Sequence, residues 1–292
     1  MGARDPRVDS SGDIDFRLNR MWAAYKKQDP PPHRVKPIPI SVLRRIALLA
    51  ERSALQFDKS VSDMITIAFF FLLRPGEYTD TNSESTPFTL QDVQLFYGPH
   101  QRIDLRTATD AQLRNATYAT LTFTTQKNGV RGEVIGLARS GDPLLCPVMA
   151  LVRRILYLRR NGAPPNTPLS RLYRQPNVVL GGPKRVTPSH ITTALRDATK
   201  SLGPSLGFLP SDVSARSLRA AGANALLLSN VDPNIIRLIG RWKSDEMLRY
   251  LHIQAAPLME DCSRRMITGG DYSLLPNQMV PLLPAANLVP LR

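Results

Sequence analysis

The sequence predicts an α+β fold, mainly helical, with a small antiparallel β-sheet. Three observations predict it. The run VSDMITIAFFFLL over 61–73 is apolar on nearly every side, as a helix at the centre of a core must be. Between about 93 and 138 the chain is rich in β-branched and aromatic residues, and QKNGVRG supplies an Asn-Gly turn signal. From Cys146 onward, apolar residues recur at helical spacing.

The elements follow in order. Residues 1–15 are polar with charges of both signs and are expected to be disordered. Phe16 to Lys27 reads as one short helix, with Leu18, Met21, Trp22 and Tyr25 on one face. Pro30, Pro31, Pro32, Pro37 and Pro39 make 28–39 a stiff, extended linker. Ser41 is expected to cap a helix through Leu49 and beyond, and Ser60 or Ser62 to open the next. Pro75 stops that helix, because the residue before a proline avoids the α region. Arg74 thus stands at the exit of what reads as the most buried helix of the chain. Strands are expected at Val93–Tyr97, Ala119–Thr125 and Glu133–Ala138. The last two form a hairpin with Lys127 near its tip.

CPVMALVRRILYLRR reads as a helix with Val148, Leu151, Val152, Ile155 and Leu158 inward. Arg153, Arg154, Arg159 and Arg160 take other positions, and Asn161-Gly162 closes it. A proline-rich loop leads to Val186, and helices are expected at 188–201, 212–229, 232–240 and 244–252. Asp232-Pro233 is a sound helix opening. After Thr268 comes the apolar LLPNQMVPLLPAANLVPL, whose prolines forbid a long helix. This tail is expected to dock on the chain itself or on a neighbour. No internal repeat is visible.

Of the 292 residues 42% are hydrophobic, enough for one large core or a core and a small satellite. The formal net charge is +14, with an isoelectric point near 10.3, which suggests a polyanionic partner. The excess is uneven. Between Arg139 and Arg219 stand thirteen Lys or Arg and three Asp, so 13 − 3 gives +10. The bland alternative is a basic surface kept for solubility. Cys146 and Cys262 make neither a disulfide framework nor a zinc site, and a reducing compartment fits them best. The first residues, MGARDPRVDSSGDIDF, hold no apolar run that would mark a secretory signal. The longest apolar run, Ile65 to Leu73 apart from Thr66, is too short to span a bilayer. No membrane partner is expected, and the location is intracellular, nuclear if the host is eukaryotic.

Several basic and aromatic positions stand out. Arg74 is followed by Glu77, which is within reach to orient it. Lys127 tips the hairpin. Arg216 and Arg219 lie about one turn apart in SARSLRAAGANALLL. Its small residues, Ala220 to Ala223 and Ala225, allow close packing and a rigid mount for the arginines. Tyr250 follows Trp242 in GRWKSDEMLRYLH. In this order the residues resemble the boxes of the tyrosine recombinase (phage-integrase) family. LLRPGEY is similar to the first arginine box, with Glu77 as the supporting glutamate. Lys127 matches the hairpin lysine, and Arg216 to Arg219 fall on the H-x-x-R box. GRWKSDEMLRY is similar to the last box, where a His or Trp precedes the tyrosine nucleophile. The wording GRWKSD looks closest to recombinases of eukaryotic mobile elements of the DIRS and Crypton type. The likeness runs from about residue 38 to 255.

The resemblance implies a tyrosine-recombinase-like catalytic domain over 38–267. It would follow a 1–37 segment, a disordered start plus the remnant of an N-terminal DNA-binding domain and its linker, and precede the 268–292 tail. It implies DNA recombination and integration without metal or other cofactor. Tyr250 would attack a backbone phosphate, forming a phosphotyrosine that a free hydroxyl later resolves. Arg74 and Arg219 would hold the non-bridging oxygens, for which paired guanidinium donors are suited. Lys127 would protonate the leaving oxygen, and Trp242 would pack beside the phosphate. Arg153, Arg154, Arg159, Arg160, Lys184, Arg185, Arg241 and Lys243 are expected to contact DNA phosphates, positioning the duplex without reading it. The partners implied are duplex DNA and further copies of the chain, as a tetramer on DNA. Two departures matter. Arg216 stands where the family has histidine, and arginine cannot act as a base near neutral pH. Only 1–37 precede the catalytic region, where relatives carry a clamp-closing helical domain. Three functions therefore stay open: an active strand-transfer enzyme, a catalytically inactive DNA-binding remnant, and an RNA-binding or scaffold protein favoured by charge alone.

Overall fold

The computed structural model describes Arg7, Ser11 and residues 13–28, 35–80, 86–98, 101–124, 132–173 and 183–242. The described architecture is mainly helical, with one four-stranded antiparallel sheet, as the sequence predicts. Its centre is α3 (Gln56–Phe70), buried without a break from Ser60 to Phe69. Helices α2 (Ile40–Arg52), α6 (Pro147–Arg160), α7 (Pro188–Leu202) and α8 (Ser217–Leu228) all pack on α3, and α2 also packs on α7. A helix walled in on every side is mostly apolar, and its buried polar side chains find partners: Ser60 accepts from Arg154, Asp63 pairs with Arg153 and Thr66 donates to the Ser62 carbonyl. Met64, Ile65 and Ile67, each at most 1% exposed, contribute about 1.5–3 kcal/mol apiece. Among the described residues no helix is long and apolar enough to cross a membrane.

Both expected helix openings shift. The residue before α2 is Pro39, in an extended conformation, so Ser41 lies inside the first turn. Helix α3 begins at Gln56, ahead of both Ser60 and Ser62. The Ser53 hydroxyl accepts from the Leu55 N–H at 3.1 Å and donates to Asp58 at 2.5 Å, closing the turn with local side chains. Ser60 is buried and accepts instead from Arg154. The helix expected over 212–229 divides into a single 3-10 turn, Pro210–Asp212, and α8.

The sheet runs in the order β2 (Gln101–Ile103), β1 (Val93–Tyr97), β3 (Tyr118–Phe123), β4 (Glu133–Ala138). The hairpin of β3 and β4 pairs from Tyr118↔Ala138 to Phe123↔Glu133. Its turn, and Lys127 with it, lies outside the described residues, as do the expected helix at 244–252, Tyr250 and the tail. The short helix α4 (Pro75–Tyr78) precedes the sheet in sequence, α5 (Asp110–Arg114) lies between β2 and β3, and α9 (Pro233–Gly240) follows α8. Helix α1 (Phe16–Gln28) forms as predicted, and its residues from Phe16 to Tyr25 are all exposed.

Candidate functional site

The chain leaves α3 through a sharp turn. Leu72 adopts φ +50°, unusual for a residue with a side chain, and the Leu73 N–H donates back to the Ala68 carbonyl at 2.9 Å. Arg74 follows, extended, ahead of Pro75 at the first position of α4. Glu77 folds back over this turn. Its carboxylate accepts from the Arg74 N–H at 2.7 Å and from Arg74 Nη1 at 3.1 Å. The pair forms as the three-residue spacing predicts, and 37% of the Arg74 side chain stays exposed.

Helix α8 brings the second arginine to the same turn. A Cβ at Gly222 would strike the Phe69 carbonyl oxygen and Leu72 Cδ2, so only glycine allows α8 to sit this close to the end of α3. Arg219, one turn earlier and 3% exposed, donates to the Leu72 carbonyl at 2.7 Å and to the Gly240 carbonyl. Its guanidinium lies 4.3 Å from the centre of the Trp242 ring, a cation–π contact. The Tyr78 hydroxyl donates to the Ala215 carbonyl at 3.3 Å. Both ends of 72–78 are thus tied to 215–219.

A third arginine arrives unforeseen in this role. Helix α9 opens with the Asp232 side chain accepting from the Asn234 N–H, and ends where Arg241 turns left-handed, φ +56° and ψ 46°. That reversal sends Arg241 inward. It donates to Glu77 at 2.9 Å, to the Ile239 carbonyl at 3.0 Å and, at longer range, to the Phe71 and Leu72 carbonyls. Its guanidinium stands 3.8 Å from the centre of the Phe123 ring, at the last residue of β3. Burial lowers its pKa and the Glu77 carboxylate opposes the shift, so it remains charged near neutral pH. The expectation of a DNA-facing Arg241 is therefore corrected: the side chain is 2% exposed and binds the protein.

Arg154 needs the same correction. It is fully buried, donating to the Leu169 carbonyl at 2.8 Å, the Arg171 carbonyl at 2.6 Å and Ser60. Burial pushes its pKa down to about 10. Its neighbour Arg153 pairs with Asp63 at 2.7 Å, and the Asp63 pKa is raised, chiefly by burial and against the pull of Arg153 and Arg154. Arg159 donates to the Ala108 carbonyl at 2.9 Å, Arg160 pairs with Asp110 at 2.8 Å, and Arg185 pairs with Asp80. Lys184 and Arg216 are exposed, with no side-chain partner among the described residues. Trp242 is 6% exposed, packed with Leu72, Ala223 and Ile236. Of the residues singled out from the sequence, the structure gathers Arg74, Glu77, Arg219, Arg241 and Trp242 round one turn. It sets Arg216 beside them at the start of α8. Arg153, Arg154, Arg159 and Arg160 belong to α6, which packs on α3. Lys127, Lys243 and Tyr250 lie outside the described residues.

Solved structures resemble the chain, among them these two. One is that of XerA recombinase, 16% identical, matching 84% of this chain and 67% of that one with a TM-score of 0.47. The other is the Tn1549 transposon integrase in complex with transposon right end DNA, 14% identical, matching 82% and 67% with a TM-score of 0.44. No family model and no curated protein matches the chain.

Proposed function

We propose that the chain binds duplex DNA and carries out site-specific recombination or integration by transesterification through Tyr250. In this reading it is a tyrosine recombinase of the kind found in DIRS- and Crypton-type mobile elements, working with further copies of itself on DNA. The observation that carries the reading is the meeting of Arg74, Arg219 and Arg241 with Glu77 at the turn over 72–77. These residues are scattered over more than 160 positions in the sequence, and a surface kept basic for solubility has no reason to collect them.

The chemistry balances without an external energy source. The Tyr250 hydroxyl gives its proton to solvent as its oxygen bonds to phosphorus and the phosphorus–oxygen bond to the leaving strand breaks, and Lys127 supplies the proton the leaving oxygen needs. A strand hydroxyl then attacks the phosphotyrosine and returns the tyrosine. The Arg74 side chain is 37% exposed and Arg216 is exposed, so both can offer donors to a phosphate. Glu77 and Arg241 hold the turn that presents Arg74. Arg219 is 3% exposed and turns two of its N–H donors to the Leu72 and Gly240 carbonyls, so it reaches a phosphate only if its guanidinium is uncovered. Phe123, the last residue of β3, lies against the Arg241 guanidinium, which brings the described end of the hairpin to this site.

Arg219 also favours a second reading, a DNA-binding remnant without catalysis, because it is 3% exposed and turns two of its donors to the Leu72 and Gly240 carbonyls. Arg216 in place of histidine points the same way. Incubation with a nicked suicide substrate separates the two. The enzyme gives an SDS-resistant adduct that Tyr250→Phe abolishes, and Arg216→His raises its yield. Salt-sensitive DNA binding with no adduct on any substrate, the ends of the parent element included, establishes the remnant.

A further inference from the structure

Two surfaces outside the arginine cluster complement each other. The first is a groove of about 350 Å³ between α2, the start of α3 and α7. Ile46, Leu49, Phe57 and Ala194 line it, and Asp58 and Asp197 stand at it. Leu49 is 48% exposed, and Asp197 has no partner among the described residues. The second is α1. Leu18, Met21 and Tyr25 recur at helical spacing on one side, Met21 53% and Tyr25 62% exposed. Its sequence, FRLNRMWAAYKKQ, holds four cations and no acid. On a chain with a net charge of +14, an apolar groove flanked by carboxylates is a selective place for a basic apolar helix.

We propose that α1 of one copy docks in the α2–α3–α7 groove of a second copy, and that the exchange is reciprocal. The structure favours a neighbour over the chain's own groove. The Lys36 N–H donates to the Asp212 carbonyl at 2.8 Å and Ile38 is buried, so the chain is anchored there. Before that anchor, α1 is exposed from Phe16 to Tyr25 and none of its residues lines the groove, which leaves both surfaces open to another copy. Two-fold exchange makes each copy donor and acceptor, doubling a contact that a single helix leaves below the usual size of a stable interface, about 1,000 Å². The resulting dimer is weak and concentration-dependent, and needs no DNA, so its fate is separate from that of the recombinase reading.

Sedimentation of the full chain without DNA tests it. We expect a monomer–dimer equilibrium that Met21→Asp weakens about tenfold or more through lost apolar burial. Arg20→Glu and Asp197→Lys should each weaken it about fivefold, and the two together should restore it, which a merely misfolded variant does not do. A monomer at every concentration overturns the proposal. So does a dimer indifferent to Met21→Asp, or one that the charge swap fails to rescue. A monomer in which Trp22 emission is nevertheless shielded from iodide assigns the groove to the chain's own α1. A dimer lost instead in Leu283→Asp assigns it to the apolar tail. Either result refutes the exchange.

Discussion

Replacing Glu77 by alanine removes one carboxylate from three donors, and the structure sets the cost of each. The Arg241 side chain is 2% exposed. Without Glu77 its guanidinium keeps the carbonyls of Phe71, Ile239 and Leu72, at 3.0–3.4 Å, and the face of Phe123, none of them charged. Breaking a buried ion pair by deleting one partner costs about 3–5 kcal/mol. The Arg74 side-chain pair is 37% exposed and contributes at most about 1 kcal/mol. Loss of the bond from the Arg74 N–H to the carboxylate, a helix-start contact, adds about 1 kcal/mol. These terms share atoms and do not simply add, so we expect about 4 kcal/mol, or about 8–16 °C in Tm for a domain of this size. Urea unfolding measures it. Arg241→Met in the Glu77→Ala background should recover about 2 kcal/mol or more relative to the sum of the single losses, because the stranded charge is then gone. A Glu77→Ala cost under about 1 kcal/mol, or strict additivity, would refute the buried link between α4 and the end of α9.

Two further expectations concern α6 and its neighbour α3. Arg154→Met should lower stability by about 3 kcal/mol in urea unfolding. It should leave the salt dependence of DNA binding unchanged, since the guanidinium faces carbonyls; a flatter salt dependence would return it to the DNA surface. Asp63 has a folded pKa above its unfolded one because of burial, so between those two values the folded chain binds more protons than the unfolded chain. Stability from this residue therefore falls as pH rises through that window. Urea midpoints from pH 7 downward should show wild type gaining on Asp63→Asn as the window is entered. The opposite trend would mean that the Arg153 pair outweighs desolvation.

The α3 core was legible because all-round apolarity has one common meaning in a chain of this size, and the hairpin because Asn-Gly sits between two alternating runs. Helix openings were less so. Serine signals a cap only where its hydroxyl is free, and Ser60 is taken by Arg154. Strand β2 is three residues, QRI, without an alternating pattern to read. Arg154 did carry a signal. It lies four residues after Ala150, three after Leu151 and four before Leu158, inside the apolar stripe, yet its charge alone argued for the surface. Glu77 was legible from its spacing to Arg74. Arg241 was not, because its inward direction depends on the left-handed end of α9 and on a ring and a carboxylate more than a hundred residues away.

The way this fold employs arginine changes what its charge means for nucleic acid. Eight of the thirteen cations from Arg139 to Arg219 already hold a carbonyl, hydroxyl or carboxylate of the protein: Arg139, Arg153, Arg154, Arg159, Arg160, Arg185, Arg196 and Arg219. Arg171, Lys184, Lys200 and Arg216 remain exposed among the described residues. Each phosphate neutralised releases about 0.9 of a counterion, so this stretch should contribute a slope of about −4 to log K against log salt, against about −12 for all thirteen. In the proposed DNA complex, this stretch would then respond to salt like one with about a third of its formal cations.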